Sequence, residues 1–473
     1  MKIYFISLGC PKNLVDSEGI LGTLERMGHR IVDEAEQADT IIINTCAFIK
    51  EAKQESIEKI LEAIEVKKKN RSKLLVIGCL SQRYKDSLIT EIPEVDAFLK
   101  LDDYPKLFKI LRSSCKIDCS KLRFHSENLY SSRKLLTPSH TAYLKIADGC
   151  NNHCSYCTIP LIRGPYHSRP LEKILKEAEI LAEKGVKEIN LLAQDTTLYG
   201  IDLSRKPKLA TLLGKLSTIQ EIKWLRLLYT HPAHWTDELL EFISSNRKIC
   251  KYLDIPIQHI CDDILRAMNR GVGEKEIRNL ISSVRKNIPG VTLRTSIIVG
   301  FPGETERHFR KLLDFVEEME FERLGAFIYS KEEGTEAFSL PNQVPEREKK
   351  KRYERIMEAQ QKIVRKKNKS MIGRTLKVLL DTEIRGGRFT SLDIEKTSRV
   401  KHQYLTGLIG RTEGDALEID QLVWVHSARK SSSFPTLRSG LSNEVKGNRS
   451  RVGDFVKVKI TEAKEYDLIG EIV

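Results

Sequence analysis

The sequence predicts an α/β protein in three parts: an amino-terminal parallel α/β domain, a partial (βα)6 barrel and a small carboxyl-terminal antiparallel β-barrel. Three observations carry this. Short apolar strands alternate with helical stretches through the first quarter of the chain, the pattern of a parallel sheet with crossover helices. Six further βα repeats then run from Thr141 to Ser339. The final hundred or so residues change to short alternating strands broken by glycines and charges. The expected divisions are 1–135, 136–370 and 371–473.

The totals narrow the class. With 473 residues, 40% apolar and 30% charged, the composition is that of a soluble globular chain. The opening, Met1 to Cys10, lacks the longer apolar region of a secretory leader and reads as a first strand. No apolar run approaches ~20 residues, so no membrane span and a cytoplasmic location are expected. Ten cysteines in such a chain argue for metal or redox chemistry rather than disulfides. The formal net charge of +14 suits an acidic partner such as RNA or a ribosome. Much of it lies on 344–372, with eleven Lys/Arg against four Asp/Glu. That segment is either a contact surface for such a partner or a solvated helix face.

In the first part, strands are expected at Ile3–Leu8, Thr40–Asn44 and Leu74–Ile77, with helices at Val15–Met27 and Glu51–Val66. Cys10, Cys46 and Cys79 fall at or just beyond the three strand ends. In open parallel sheets ligands bind outside the carboxyl ends of the strands, so these thiols could converge. The alternative is three buried, inert cysteines. Cys115 and Cys119, in a polar linker-like stretch, are read as non-functional, and Cys250 and Cys261 as core or incidental.

In the second part, strands are expected at Tyr143–Ala147, Glu188–Ala193, Trp224–Tyr229, Tyr252–Ile257, Thr292–Val299 and Leu324–Tyr329. The helices between them are Leu171–Lys184, Ala210–Thr218, Asp237–Ser244, Glu274–Asn287 and Glu306–Met319. Polar groups collect after the strands, where such barrels place active sites: Gln194-Asp195-Thr-Thr, Thr230-His-Pro, Gln258-His259 and Gly300-Phe-Pro-Gly-Glu304. After the first strand stands Cys150-Asn-Asn-His-Cys154-Ser-Tyr-Cys157, a C-x3-C-x2-C loop. Three thiolates can hold a 4Fe–4S cluster with one iron lacking a protein ligand. They can also hold zinc with His153 or His167 as the fourth ligand.

A helix from Pro345 to about Lys369 leads out of the barrel. The last part is expected to hold strands at Thr375–Leu380, Leu417–Ile419, Leu422–Val425 and Phe455–Ile460, with a flexible Ser/Lys-rich insertion over 426–450.

The three-cysteine loop after a first barrel strand resembles the radical S-adenosylmethionine (SAM) enzymes. Tyr143 to Gly149 before it and Thr158 to Gly164 after it sharpen the likeness to the methylthiotransferases. Ser7-Leu-Gly-Cys-Pro-Lys-Asn-Leu-Val-Asp-Ser-Glu18, Asn44-Thr-Cys-Ala-Phe48, Gly78-Cys79, Gln194-Asp-Thr-Thr, Arg294 to Thr305 and Ala326 to Ser330 look like the RimO branch. That branch modifies the β-carbon of an aspartate in a small-subunit ribosomal protein. The sister branch, which modifies adenosine in transfer RNA, typically reads Gly-Cys-Gln-Met-Asn at the first cysteine.

The resemblance covers nearly the whole chain. It implies a methylthiotransferase amino-terminal domain, a radical SAM barrel and a TRAM domain. It implies two 4Fe–4S clusters, on Cys150, Cys154 and Cys157 and on Cys10, Cys46 and Cys79, with SAM as cosubstrate. Tyr156, Gln194, Asp195, Arg294 and Gly300 are the residues it brings to the cofactor. Tyr156 has a second reading as plain loop packing, and Asp195 as a helix N-cap. The first cluster would reduce SAM to a 5′-deoxyadenosyl radical, and the second would carry the sulfur. The expected partners are the ribosomal protein and an electron donor. The rival readings are the transfer-RNA enzyme and a non-catalytic iron–sulfur RNA-binding protein.

Overall fold

The computed structural model describes residues 1–112, 130, 132–385, 388–389, 406–426 and 450–473. Cys115, Cys119 and residues 427–449 of the insertion lie outside the described residues.

The amino-terminal sheet has five strands: β1 (Lys2–Ser7), β2 (Arg30–Val32), β3 (Thr40–Thr45), β4 (Lys73–Gly78) and β5 (Ala97–Leu99). Their order is β2-β1-β3-β4-β5, and every pair is parallel. Helices α1 (Pro11–Arg26), α2 (Lys50–Asn70), α3 (Cys79–Glu91) and α4 (Tyr104–Arg112) connect and cover it. β3 is buried along its whole length, and its three consecutive isoleucines, Ile41 to Ile43, suit the centre of a parallel sheet. The two short edge strands had no sequence signal of their own, since three-residue strands show no period.

The second sheet has six parallel strands: β6 (Thr141–Lys145), β7 (Glu188–Leu192), β8 (Trp224–Leu227), β9 (Ile249–Asp254), β10 (Thr292–Val299) and β11 (Arg323–Ile328). They follow in sequential order, which makes a partial barrel. Helices α5 (Leu171–Glu183), α6 (Leu209–Ser217), α7 (Asp237–Ser245), α8 (Glu274–Asn287) and α9 (Glu306–Met319) bury their apolar stripes on its outside. β10, α8 and α9 have the bounds expected from periodicity. Helix α10 (Glu346–Lys369) follows. Six of its cations are matched within the chain: Lys349, Arg352, Arg355, Arg365, Lys366 and Lys367 pair with Glu346, Glu304, Glu306, Glu465, Glu320 and Glu322. The basic excess on 344–372 is thus largely a paired helix face rather than free charge.

The last part is a closed barrel of five strands: β12 (Thr375–Arg385), β13 (Thr406–Thr412), β14 (Val423–His426), β15 (Phe455–Ala463) and β16 (Leu468–Ile472). All pairs are antiparallel except β14 with β16. Leu417–Ile419 is not a strand. These residues form a turn whose Leu417 is buried and whose Ile419 packs with Tyr143, Tyr252 and Leu379. The alternation there records a loop tucked against the barrel, not a pleated strand.

The concave face of the six-stranded sheet is shared. Val15 of α1, Tyr143, Leu192, Trp224 and Tyr252 of the sheet, and Leu379 and Ala416 of the terminal barrel form one apolar cluster. Polar groups reinforce this junction. Arg411, 0% exposed, donates from Nη2 to Glu188 Oε2 (2.7 Å) and from Nε to Asp381 Oδ2 (2.7 Å). Arg226 reaches the same Glu188 through Nη2 (3.0 Å).

Candidate active site

β1, β3 and β4 are neighbours, so their carboxyl ends lie side by side at strand spacing, about 4.8 Å apart. Cys10 immediately precedes α1, Cys46 follows β3, and Cys79 opens α3. Two glycines let these ends crowd together. Gly9 has φ +89°, and a Cβ there would meet Cys46 Cβ at 2.6 Å and Sγ at 2.8 Å. Gly78 has φ +99°, and a Cβ there would meet Asn44 Oδ1 at 2.3 Å. Burial pushes the Cys46 thiol up to about 12, and the charges of Cys10 and Cys79 add to it. Burial also raises Cys79, while Arg163, whose Nη2 lies 3.6 Å from its Sγ, opposes.

The second set stands across from the first. The loop after β6 carries Cys150, Cys154 and Cys157. Burial pushes Cys150 up to about 11 and Cys157 up to about 12, with the other thiols of the set adding to each. Arg270 is buried beside them. Its Nη1 donates to Cys154 Sγ (3.3 Å) and Tyr156 Oη (3.4 Å), and its Nη2 to the Pro256 carbonyl (2.6 Å). Tyr156 meets Phe301 edge to face.

Both sets are ones in which thiolates are costly without a cationic centre between them, which is the chemistry a metal cluster answers. A single zinc fits poorly. Tetrahedral Zn–S bonds of about 2.3 Å hold thiolates about 3.8 Å apart. Among the described residues, the one group of three or more such ligand atoms within 4.8 Å of one another is Asp195, His231 and His234, not either cysteine set. His153 is exposed, and His167 is exposed and turned to Asp202 (3.7 Å), so neither adds a fourth ligand.

A charged network joins the two sets. Arg163 Nη1 donates to Asp16 Oδ2 of α1 (2.7 Å) and Asp148 Oδ2 (3.1 Å). Lys145 pairs with the same two carboxylates. Arg133 bonds Glu18 of α1 and Glu177 of α5. Lys12, in the first turn of α1, holds its Nζ 3.2 Å from the centre of the Tyr229 ring. Burial lowers its ammonium, against the charges of Cys10 and Asp148.

The residues expected at the cofactor are placed as follows. Gln194 Nε2 donates to Asp148 Oδ1 (2.8 Å), while its buried Oε1 has no partner among the described residues. Asp195 is an N-cap: Oδ1 accepts from Thr197 N (3.1 Å), and Oδ2 from Asn152 Nδ2 (2.7 Å) with His234 Nδ1 at 2.7 Å. Burial opposes its ionisation, but the His234 bond and charge hold it low. His231 Nδ1 accepts from Ala233 N (3.2 Å), so its proton sits on Nε2, which is buried and has no partner. An unpartnered acceptor on Gln194 and an unpartnered donor on His231, at the ends of neighbouring strands, fit the ammonium and carboxylate of an amino-acid group such as that of SAM. Gly300 has φ +74°, and a Cβ there would strike Lys349 Cγ at 2.3 Å. Arg294 Nη1 donates to Asp254 Oδ1 (2.7 Å), and its Nε faces Asp420 Oδ1 of the terminal part (3.7 Å). Sequence reasoning assigned no role to Lys12, Arg163, Arg270 or His231. The available signal was charge placed immediately after strands and cysteines.

Comparison with known proteins agrees with this layout. Residues 2–100 match the uncharacterized protein family UPF0004, residues 144–316 the radical SAM superfamily and residues 372–473 the TRAM domain. A protein of Geotalea uraniireducens (strain Rf4), named ribosomal protein uS12 methylthiotransferase RimO, is 45% identical over 100% of this chain and 98% of its own length. The protein of that name in Clostridioides difficile (strain 630) is 44% identical over 100% of this chain and 99% of its own. The structure of the radical SAM methyltransferase TsrM from Kitasatospora setae, with cobalamin and a [4Fe-4S] cluster bound, superposes with TM-score 0.50 at 13% identity. The match covers 69% of this chain and 74% of that one and reports on the fold alone.

Proposed function

Because this chain belongs to the RimO family of ribosomal protein uS12 methylthiotransferases, we propose that its two sets of three cysteines are the ligands of that family's clusters. Cys150, Cys154 and Cys157 are assigned to the cluster that works on SAM, and Cys10, Cys46 and Cys79 to the sulfur-bearing one. The reaction is the methylthiolation of the β-carbon of an aspartate of uS12. Bound at these sites, the clusters and SAM supply the electron, the radical and the sulfur.

The chain's own residues do the rest. Arg270 and Tyr156 hold the Cys154 side of the loop. Gln194 Oε1 is assigned to the SAM ammonium and His231 Nε2 to its carboxylate. Asp195 acts through Asn152 and His234, whose bonds use its lone pairs. Asp148, Lys145, Asp16 and Arg163 fix one cysteine set against the other. The observation that carries the reading is Arg163, which reaches Cys79 of one set and Asp148, two residues from Cys150, of the other.

The divisions 1–135, 136–370 and 371–473 belong to the same proposal. So do a cytoplasmic site of action, on the ribosomal substrate, and a separate electron-donor protein. The TRAM domain suggests RNA contact. Among the described residues no helix is long and apolar enough to cross a membrane.

The test uses anaerobically reconstituted protein and a deletion strain. About eight irons with matching sulfide per chain are expected, two 4Fe–4S clusters' worth. Cys150→Ala should abolish SAM cleavage, whereas Cys46→Ala should keep it and lose sulfur insertion. Mass spectrometry of the deletion strain should find uS12 unmodified and transfer-RNA thiomethyl adenosine intact. The reverse pattern would sink the assignment.

A further inference from the structure

We propose that Lys12 receives the side-chain carboxylate of the target aspartate, making the space between the two cysteine sets selective for an anionic residue. The inference rests on the substrate reading above. Lys12 is 8% exposed, yet it has no hydrogen bond or ion pair with any described residue. Its one partner is the face of Tyr229. The ring is fixed in place: Tyr229 sits at φ 59°, in the left-handed region, and its N–H donates to Asp254 Oδ2 (2.9 Å).

The carboxylates around Lys12 are engaged by others. Asp148 takes Lys145, Arg163 and Gln194. Asp16 takes Lys145, Arg163 and the Tyr130 hydroxyl. Asp254 takes Arg294 and the Tyr229 amide. A buried ammonium whose one direct partner among the described residues is a ring is a group awaiting an anion. It carries three donors, and they can serve a carboxylate while the ring stays in place.

The position suits the chemistry. Lys12 is two residues from Cys10, a ligand of the sulfur-bearing set. In aspartate the β-carbon is bonded directly to the carboxylate carbon. Anchoring that carboxylate on Lys12 therefore sets the reacting C–H beside the sulfur-bearing set and confines it for attack.

The experiment compares reconstituted full-length wild type, Lys12→Met and Lys12→Arg on purified uS12. The second substrate is uS12 with its target Asp→Asn. Binding is followed by fluorescence anisotropy, KM and kcat by mass spectrometry, and cluster content by iron and sulfide assay. Wild type should bind the Asn substrate about 10–100-fold more weakly, the range for a charge-assisted hydrogen bond. Lys12→Met should bind both substrates alike at that weaker level, with its loss mainly in KM and its iron and sulfide retained. Lys12→Arg should recover part of the discrimination. Lys12→Met that still separates Asp from Asn by the wild-type factor would overturn the proposal. So would loss of iron from Lys12→Met, which would assign the cation to the thiolates. Wild type that leaves uS12 unmodified would overturn the substrate reading and this inference with it. Failure confined to the variants overturns Lys12 alone.

Discussion

Arg270 shows how one side chain can tune a cluster without ligating it. Its N–H···S bond to Cys154 and its buried positive charge favour the reduced, more negative state of a cluster bound there. Arg270→Met should therefore lower the midpoint potential of that cluster by tens of millivolts, the order of a hydrogen-bond and charge change at a cluster sulfur. Potentiometry followed by electron paramagnetic resonance would check it, and an unchanged midpoint would leave Arg270 a packing residue. At this scale the cysteines were legible because their spacing and their places after strands are local. His231 was visible only as one of the polar groups after a strand, and Arg270 and Lys12 were not, because nothing beside them in sequence says what they face. Asp195 had two readings, and its carboxylate turned out to cap Thr197 while binding Asn152 and His234.

At the scale of elements, the joint between β7 and β13 depends on Arg411. Removing its charge leaves Glu188 sharing Arg226 alone and Asp381 facing only His140 among its ion-pair partners, all in a dry interior. Arg411→Met should cost about 3–5 kcal/mol, as breaking one side of a buried pair does. Denaturant unfolding would measure it, and a loss below about 1 kcal/mol would mean the joint is apolar in substance. The long amphipathic helices and β10 could be read from the sequence because period and burial coincide there. The terminal barrel could not be read as well. β13 pairs with β12 and β16 pairs in parallel with β14, each a partner distant in sequence, and the Leu417–Ile419 alternation belongs to a turn.

For the whole molecule, the same joint sets an acid limit. Burial pulls the Glu188 carboxyl up, but Arg411 and Arg226 outweigh it and hold it at about 2. Its folded value lies below the unfolded one, about 4.3 for glutamate. Its contribution is therefore fully present above that value and is lost as pH falls through about 2. Thermal unfolding scanned from pH 6 to pH 2 should show the melting temperature falling through this window, with a shallower fall in a Glu188→Gln variant. The three-part architecture was visible in the sequence as three changes of pattern. The sharing of one concave face by all three parts was not, since each contributes only a few residues to it.

Helix α1 has a consequence for inheritance. It is folded as part of the first sheet, but Asp16 and Glu18 on it are neutralised by Arg163, Lys145 and Arg133 from beyond that sheet. The amino-terminal domain is therefore not a cassette. Transplanted onto a foreign barrel, it would bring the buried Asp16 to a wall without Arg163 and Lys145, and Arg133 to one without Glu177. Chimeras between relatives should work only when both halves of this lock travel together.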